Sequence, residues 1–445
     1  MNKVSLLDFA RENMLIYGKL TIEQRAIADY RDGLKPVQRR ILWAAYKLGL
    51  HPQGHVKKSA RLVGEGIGKY HPHGESSLYD ALAKMTRCAE PMIDGSEANF
   101  GDYEDEAAAS RYTVCKLTPY SDKYLLDPDY LALTPMVDNY DGEFQEPIYL
   151  PAKLPNLLIN GCEGIATGCS VLIPSFSLES VKELVREALE IKGEVDTDLC
   201  SKKLKFHFPY GGIYDGTRSI FKKYLSTGFG SLRFTPKYKI MSDRIVVSSI
   251  APRFLVSSKF EKIVGMKGVK TAEDRREGGN IRFDILLNRN ADVEKIENIL
   301  RTSLPCQTYL TMRQDDGETV NFKPANIPEF MNMWMEWRIA FEKKVVQRLI
   351  DIEVGKQRVQ EWWMFAIHHK KEILKALESQ DPEKNLIRQL KIKEEQAKFI
   401  LEMKVRNLAK AEEGIVKNKL KQHKDRANTL NRELKNVKGR IASNL

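Results

Sequence analysis

The chain has 445 residues, which is too long for one compact core and enough for about two to four domains. Apolar residues at 42% and charged residues at 29% fit a soluble globular protein, and no apolar run reaches the ~18 residues of a membrane span. A formal net charge of +11 suits a polyanionic partner and says nothing about fold.

Residues 1–30 read as helix, with apolar positions at Leu6, Leu7, Phe9, Met14, Ile16 and Tyr17. In DYRDGLKPVQRRILWAAYKLGL, Asp32-Gly33 predicts a turn, and Pro36 stands near a helix start, where its missing N–H costs little. Val37, Ile41, Leu42, Ala45 and Leu48 then follow at helical spacing. A second helix is predicted over Lys57–Lys69, ending at YHPHG, and a third from Glu75 to about Ala89. Helix, tight turn, helix is the arrangement in which a later helix enters a DNA groove, although many helical domains share it.

Residues 91–150 read as short strands and loops. Residues 151–325 alternate β-branched or aromatic runs with turns, with paired strands around Met241-Ser242-Asp243 and a strand in NIRFDILLNRN. From Pro328 the character changes. Phe330, Trp334, Trp337, Phe341, Val345, Leu349 and Ile352 recur every three or four residues and predict a long amphipathic helix. The helix breaks near Asp381-Pro382 and resumes to the end, with Leu430, Leu434, Val437 and Ile441 on one face. Two long helices with a helical cluster between them predict an antiparallel coiled coil carrying a small dimer contact.

Charge is spread unevenly. Residues 1–90 hold 15 Lys and Arg against 9 Asp and Glu, whereas residues 91–150 hold 3 against 13. Six cysteines (Cys88, Cys115, Cys162, Cys169, Cys200, Cys306) form no C-x-x-C pair, so the spacing argues against a zinc ribbon, and reduced thiols are expected. The N-terminus lacks a leader signature, and a cytoplasmic protein is expected.

Four stretches can carry chemistry. In AAASRYTVCKLTP, Arg111 directly precedes Tyr112. A tyrosine in a short polar stretch is ordinarily a half-buried ring. A phenol can also attack a phosphodiester and hold the DNA end as an ester, so that resealing needs no cofactor. A phenol ionises near ~10 in water and needs help at neutral pH. Nearby cations and a metal would stabilise the phenolate and the pentavalent transition state.

In KKSARLVGEGIGKYHPHGESSLYDAL, Lys57, Lys58, Arg61 and Lys69 can contact phosphate. His71 and His73 flank a proline at a helix start, where they either cap the turn or join a site; no third metal ligand is evident. QRAIADYRDGLKPVQRR offers Arg25, Arg31, Lys35, Arg39 and Arg40, with a solvated basic face as the ordinary alternative. NLLINGCEGIATGCSVLIPSFSL has the glycines of a phosphate loop without its Lys-Ser/Thr ending, so it is not a P-loop. Its Ile173, before Pro174, is either core or a wedge between base pairs.

Together RDGLKPVQRR, KKSARLVGEGIGKYHPHGESS, the AAASRYT block, VDNYDG and LPNLLINGCEGIATG, in this order, closely resemble the breakage-reunion subunit of type IIA DNA topoisomerases. That family includes gyrase A, topoisomerase IV A and the medium subunit of T-even-like phage enzymes, the last being closest in size. The resemblance covers nearly the whole chain and is strongest over residues 25–175.

The resemblance implies a multidomain α+β fold. Residues 1–150 would be a winged-helix DNA-cleavage domain, 151–325 a tower domain, and 326–445 the coiled coil with its dimerisation gate. Tyr112 would be the nucleophile that stays bound to the 5′ end, with Arg111 beside it. Arg25, His71, His73 and Arg40 match active-site or DNA-contacting positions, and Ile173 matches the isoleucine that bends gate DNA. Ser76 and Asp80 fall where quinolones are contacted.

Neither an ATP-binding module nor the family's acidic metal-binding motifs occur. A partner subunit is therefore expected to hold Mg²⁺ and ATP, giving a heterotetramer on double-stranded DNA with two copies of this chain. The chain stops at its coiled coil, so relaxation or decatenation is expected rather than supercoiling. The rival readings are a non-catalytic winged-helix DNA binder on the same scaffold and a coiled-coil assembly protein with incidental charge.

Overall fold

The computed structural model describes residues 5–276, 280–313, 320–403 and 413–445. The chain divides into two compact units, residues 1–338 with Leu445, and residues 339–444.

The first unit opens with α1 (Leu6–Thr21), capped by Ser5 accepting from the Asp8 amide. Its apolar side chains face outward: Leu6, Leu7, Phe9, Met14, Leu15, Ile16 and Tyr17 are all exposed. The helix expected over residues 1–30 is shorter than that. A single π-helical turn, Ile22–Ala26, follows, and the backbone is extended at Ile27. Residues Ala26–Leu34 enter the core instead and bridge to a distant strand at Asp29↔Thr311.

α2 (Pro36–Lys47) starts where Pro36 sets the first turn and the Gln38 side chain accepts from the Lys35 amide at 3.0 Å. It buries Ile41, Leu42, Ala44 and Ala45. β1 (Lys57–Lys58) precedes α3 (Ser59–Lys69), so the expected helix loses its first two residues to a strand pairing. α4 spans Glu75–Thr86. β2 (Ile93–Asp94) and β3 (Val114–Leu117) complete an antiparallel sheet of order β1-β3-β2 beside these helices. α5 (Pro119–Tyr124) and α6 (Pro128–Leu131) lead to the hairpin β4 (Met136–Asp138) and β5 (Gln145–Pro147).

After α7 (Asn156–Asn160) comes a hairpin of β6 (Cys162–Ala166) and β7 (Cys169–Ile173). Helices α8 (Leu178–Glu190), α9 (Thr197–Lys203) and α10 (Arg218–Thr227) follow, with β8 (Ile213–Tyr214) before α10 and β9 (Phe229–Thr235) packed against it. β10 (Tyr238–Ile240) and β11 (Arg244–Val247) pair around the turn expected at Met241-Ser242-Asp243. Then follow α11 (Val256–Val264), β12 (Val269–Asp274), β13 (Phe283–Leu287), α12 (Val293–Leu300), β14 (Thr302–Gln307), β15 (Tyr309–Arg313) and β16 (Val320–Pro324). Two larger sheets result, of orders β6-β7-β14-β9-β8 and β10-β11-β13-β12, with all neighbours antiparallel.

α13 (Ile327–His368) begins in the first unit and continues through the second. In the second unit, α14 (Lys370–Leu377), α15 (Pro382–Leu390) and α16 (Glu394–Glu402) close a small core around Ile373, Ala376, Leu386, Ala397 and Ile400. α17 (Glu413–Lys435) and α18 (Val437–Ser443) return along α13. The pairs His423–Glu353 and Arg440–Glu342, with Leu430 packed on Val346 and Ile350, fix an antiparallel direction. Residues 404–412 of the expected C-terminal helix lie outside the described residues. No helix among the described residues is long and apolar enough to cross a membrane.

Candidate active site

Tyr112 stands on a loop whose backbone is fixed from two helices. The Ser59 amide donates to Thr113 O at 3.0 Å, and the Ala60 amide donates to Ser110 O at 3.1 Å. The loop thus satisfies amides that the first turn of α3 would leave unpaired. From α4, the Tyr79 hydroxyl reaches Ala108 O and meets Thr113 Oγ1 at 2.9 Å. Glu75 accepts from Ser110 Oγ at 3.0 Å. Thr113 is buried, while the Tyr112 side chain is 65% exposed. The backbone is therefore held and the phenol is presented to solvent. The Arg111 guanidinium lies 4.7 Å from the centre of the Tyr112 ring, and Lys58 Nζ donates to Tyr112 O at 3.3 Å.

A second cluster forms around the HPH turn. Arg40 grips Glu146 with two bonds of 2.7 Å each, and its Nη1 lies 3.1 Å from His71 Nδ1. A guanidinium can only donate, so His71 Nδ1 accepts and its ring proton sits on Nε2. Burial is the main force on His71, followed by the positive charges of Arg40, His73 and Arg25, and its pKa falls to about 4. The His71 and His73 rings stack at 4.4 Å. Burial, then Arg25 and Arg40, lower His73 as well. His73 Nδ1 is buried without a hydrogen-bond partner among the described residues. The VDNYDG hairpin braces this turn: Asn139 donates to Lys69 O, and the Tyr140 hydroxyl donates to Gly68 O at 2.8 Å.

The profile of the DNA gyrase/topoisomerase IV A-subunit family matches residues 25–444. The chain belongs to this family. It is 33% identical over 436 residues to the DNA gyrase A protein of Staphylococcus epidermidis (strain ATCC 35984), covering 92% of this chain and 48% of that protein. It is likewise 33% identical over 439 residues to the DNA gyrase A protein of Staphylococcus aureus (strain NCTC 8325), with the same coverage. The chain spans about half the length of these curated relatives.

Within this family member the two clusters are built separately. No hydrogen bond, ion pair or ring contact among the described residues joins Tyr112 to Arg25, His71 or His73. Arg25 is exposed at the end of the π-helical turn. Lys57, Lys58 and Arg61 are exposed at the start of α3, as a phosphate grip requires. Lys69 is half-buried, pairs with Glu65 at 2.7 Å and lies over Phe144. Lys35 donates to the backbone oxygen of Glu163. Ser76 and Asp80 are exposed, one helical turn apart on α4.

Three residues expected at DNA are buried in this structure. Arg31 is buried, paired with Asp29 at 2.8 Å and stacked 3.8 Å over Tyr149. Arg39 is buried against Asp32 at 2.6 Å and also donates to Leu34 O at 3.1 Å. These charges hold the core together and are withheld from a phosphate. Ile173 is only 4% exposed and pairs with Cys162 at the open end of the β6–β7 hairpin, away from its turn. Without DNA it is packed in the core. The exposed isoleucine of this hairpin is Ile165, 81% accessible and paired with Ser170 near the turn.

Sequence reasoning missed Ile165, Glu146 and the brace at Asn139 and Tyr140. The VDNYDG motif was the available signal for the brace. Gly164 explains how the hairpin sits. A Cβ there would lie 1.9 Å from Ala26 O, so only glycine lets the hairpin press on the turn that carries Arg25.

Proposed function

We propose that this chain is the DNA-cleaving and resealing subunit of a type II topoisomerase, with Tyr112 as the nucleophile. One observation carries the reading: an exposed phenol beside a guanidinium, on a loop clamped by α3 and α4, in a member of this family. In the reaction, Tyr112 Oη attacks a DNA phosphorus. A bond forms from phenol oxygen to phosphorus, and the bond to the deoxyribose 3′ oxygen breaks. The phenol loses its proton and the departing 3′ oxygen gains one. The product is a 5′-phosphotyrosine ester with a free 3′ hydroxyl, and reversal reseals the strand.

Arg111 and Lys58 supply positive charge near the phosphoryl oxygens. Arg25 and the Nε2–H of neutral His71 are available to bind the scissile phosphate in the DNA complex. Two copies of the chain would each cut one strand, dimerising through the helical second unit and the α2–α4 region. Those helices with their small sheet form the winged-helix grip, and Ile165 at the hairpin tip is the apolar wedge that bends gate DNA. Ser76 and Asp80 are the quinolone contacts.

Among the described residues, no group of three or more His, Cys, Asp or Glu side chains is placed to share a metal ion. Mg²⁺ and ATP are assigned to the partner subunit, where Mg²⁺ would offset phosphate charge. The exposed apolar side chains of α1 support assembly with other subunits.

The test combines the purified chain with a B-type ATPase subunit on supercoiled plasmid, with and without ATP. Relaxation that needs both proteins and ATP is expected. No change in linking number, and no strand cleavage, with a partner shown to hydrolyse ATP would contradict the proposal.

A further inference from the structure

The acidic run Asp102, Glu104, Asp105 and Glu106 lies just before Tyr112, in a chain expected to meet a polyanion. The structure shows where two of these carboxylates go. Arg276, just past β12, places Nη1 3.4 Å from Asp102 Oδ2 and Nη2 3.8 Å from Glu104 Oε2. It is itself anchored by Asp274 at 2.6 Å. Its guanidinium carbon lies 5.4 Å from the Tyr103 ring centre, and Tyr103 packs edge-on against Tyr210 at 5.2 Å. Two further ties close the joint: Ser257 Oγ meets Glu104, and Arg87 Nη1 donates to Asp102 O at 2.6 Å.

Asp102 divides its oxygens between two tasks. Oδ1 accepts from the amides of Glu104 at 2.8 Å and Asp105 at 2.9 Å, shaping the turn. Oδ2 takes Arg276. From this turn the chain runs through Ala108, pinned to Asn99 O and to Tyr79, directly to Tyr112. One end of the segment is thus held by α4 and the other by Arg276, 174 positions from Asp102 in sequence.

We propose that Arg276 is a positioning residue for Tyr112. It ties the acidic turn to the β12 region and neutralises carboxylates beside the path of the DNA. The pairs are about one-third exposed, at 31% for Arg276 and 34% for Asp102. The latch therefore adds little to global stability, and its effect falls on where the loop stands. The proposal rests on Tyr112 being the nucleophile.

The test uses the full chain reconstituted with its B-type subunit, Mg²⁺ and end-labelled duplex DNA, read as single-turnover formation of the covalent complex. Arg276→Ala should slow that step at saturating DNA by about tenfold to a hundredfold, the scale of a sub-ångström to ångström misplacement. The half-saturating DNA concentration and the melting temperature should barely change, and Arg276→Lys should restore part of the rate. Amide exchange over residues 101–108 should rise in Arg276→Ala. Asp102→Asn keeps the Oδ1 acceptor and loses the charge. Combined with Arg276→Ala, it should add little further loss.

An unchanged rate in Arg276→Ala, fully additive losses in the pair, or a defect confined to DNA affinity would overturn the latch. A wild type that never links to DNA through Tyr112 would overturn the nucleophile assignment instead. The two failures are distinguishable.

Discussion

Arg40 donates through Nη1 to Nδ1 of His71 across 3.1 Å, so His71 is a neutral imidazole with its proton on Nε2. The same Arg40 is clamped by Glu146, which fixes the direction of the donor. From this position His71 offers a neutral N–H donor and no charge of its own.

The His71 pKa of about 4 has a consequence for stability. The unfolded chain binds a proton near the ordinary value of 6.5 and the folded chain does not. His71 therefore favours folding fully above about 6.5, and this contribution is lost as pH falls from there toward 4. Urea unfolding at pH 7.5 and pH 5 (about one unit above the folded pKa) should show a smaller loss for His71→Gln than for wild type. Equal losses in the two proteins would contradict the assignment.

Arg39 and the lysine pair Lys57 and Lys58 should behave as opposites. Arg39→Ala leaves Asp32 buried without its partner and should cost about 3–5 kcal/mol in chemical unfolding. Lys57→Ala and Lys58→Ala should stay within about 0.5 kcal/mol, since both are exposed. Each should flatten the log–log salt dependence of duplex binding by roughly 1. Fluorescence anisotropy across a salt series reads the slope. A lysine variant with the wild-type slope would remove that residue from the grip.

Ile173→Ala should destabilise by about 2–5 kcal/mol because it empties a core position. Ile165→Ala should leave stability within about 0.5 kcal/mol while reducing the bend of a gate-length duplex. End-to-end energy transfer on doubly labelled DNA measures the bend. An unchanged bend in Ile165→Ala would rule it out as the wedge.

These contrasts show what can be read from sequence. Tyr112 and the HPH turn are local motifs, and the start of α2 follows from Pro36 and Gln38. The long helices follow from three-to-four spacing, because a helix face is a local property. Burial of a charge is not. Arg31 and Arg39 look like Lys57 and Lys58 until Asp29 and Asp32 fold onto them. Ile165 and Ile173 lie in one glycine-rich run, and only the register Cys162↔Ile173 and Ile165↔Ser170 reveals which stands near the turn. The tie from Asp102 to Arg276 joins strands of chain far apart in sequence, so no local pattern announces it.

The most direct test is chemical. The chain, turning over on duplex DNA with its partner present, is denatured, digested, and searched by mass spectrometry for a peptide still carrying a nucleotide. The account predicts that peptide contains position 112, modified on its tyrosine, and that Tyr112→Phe abolishes it while duplex affinity is kept. A nucleotide found on any other residue, or a linked peptide persisting in Tyr112→Phe, would contradict it.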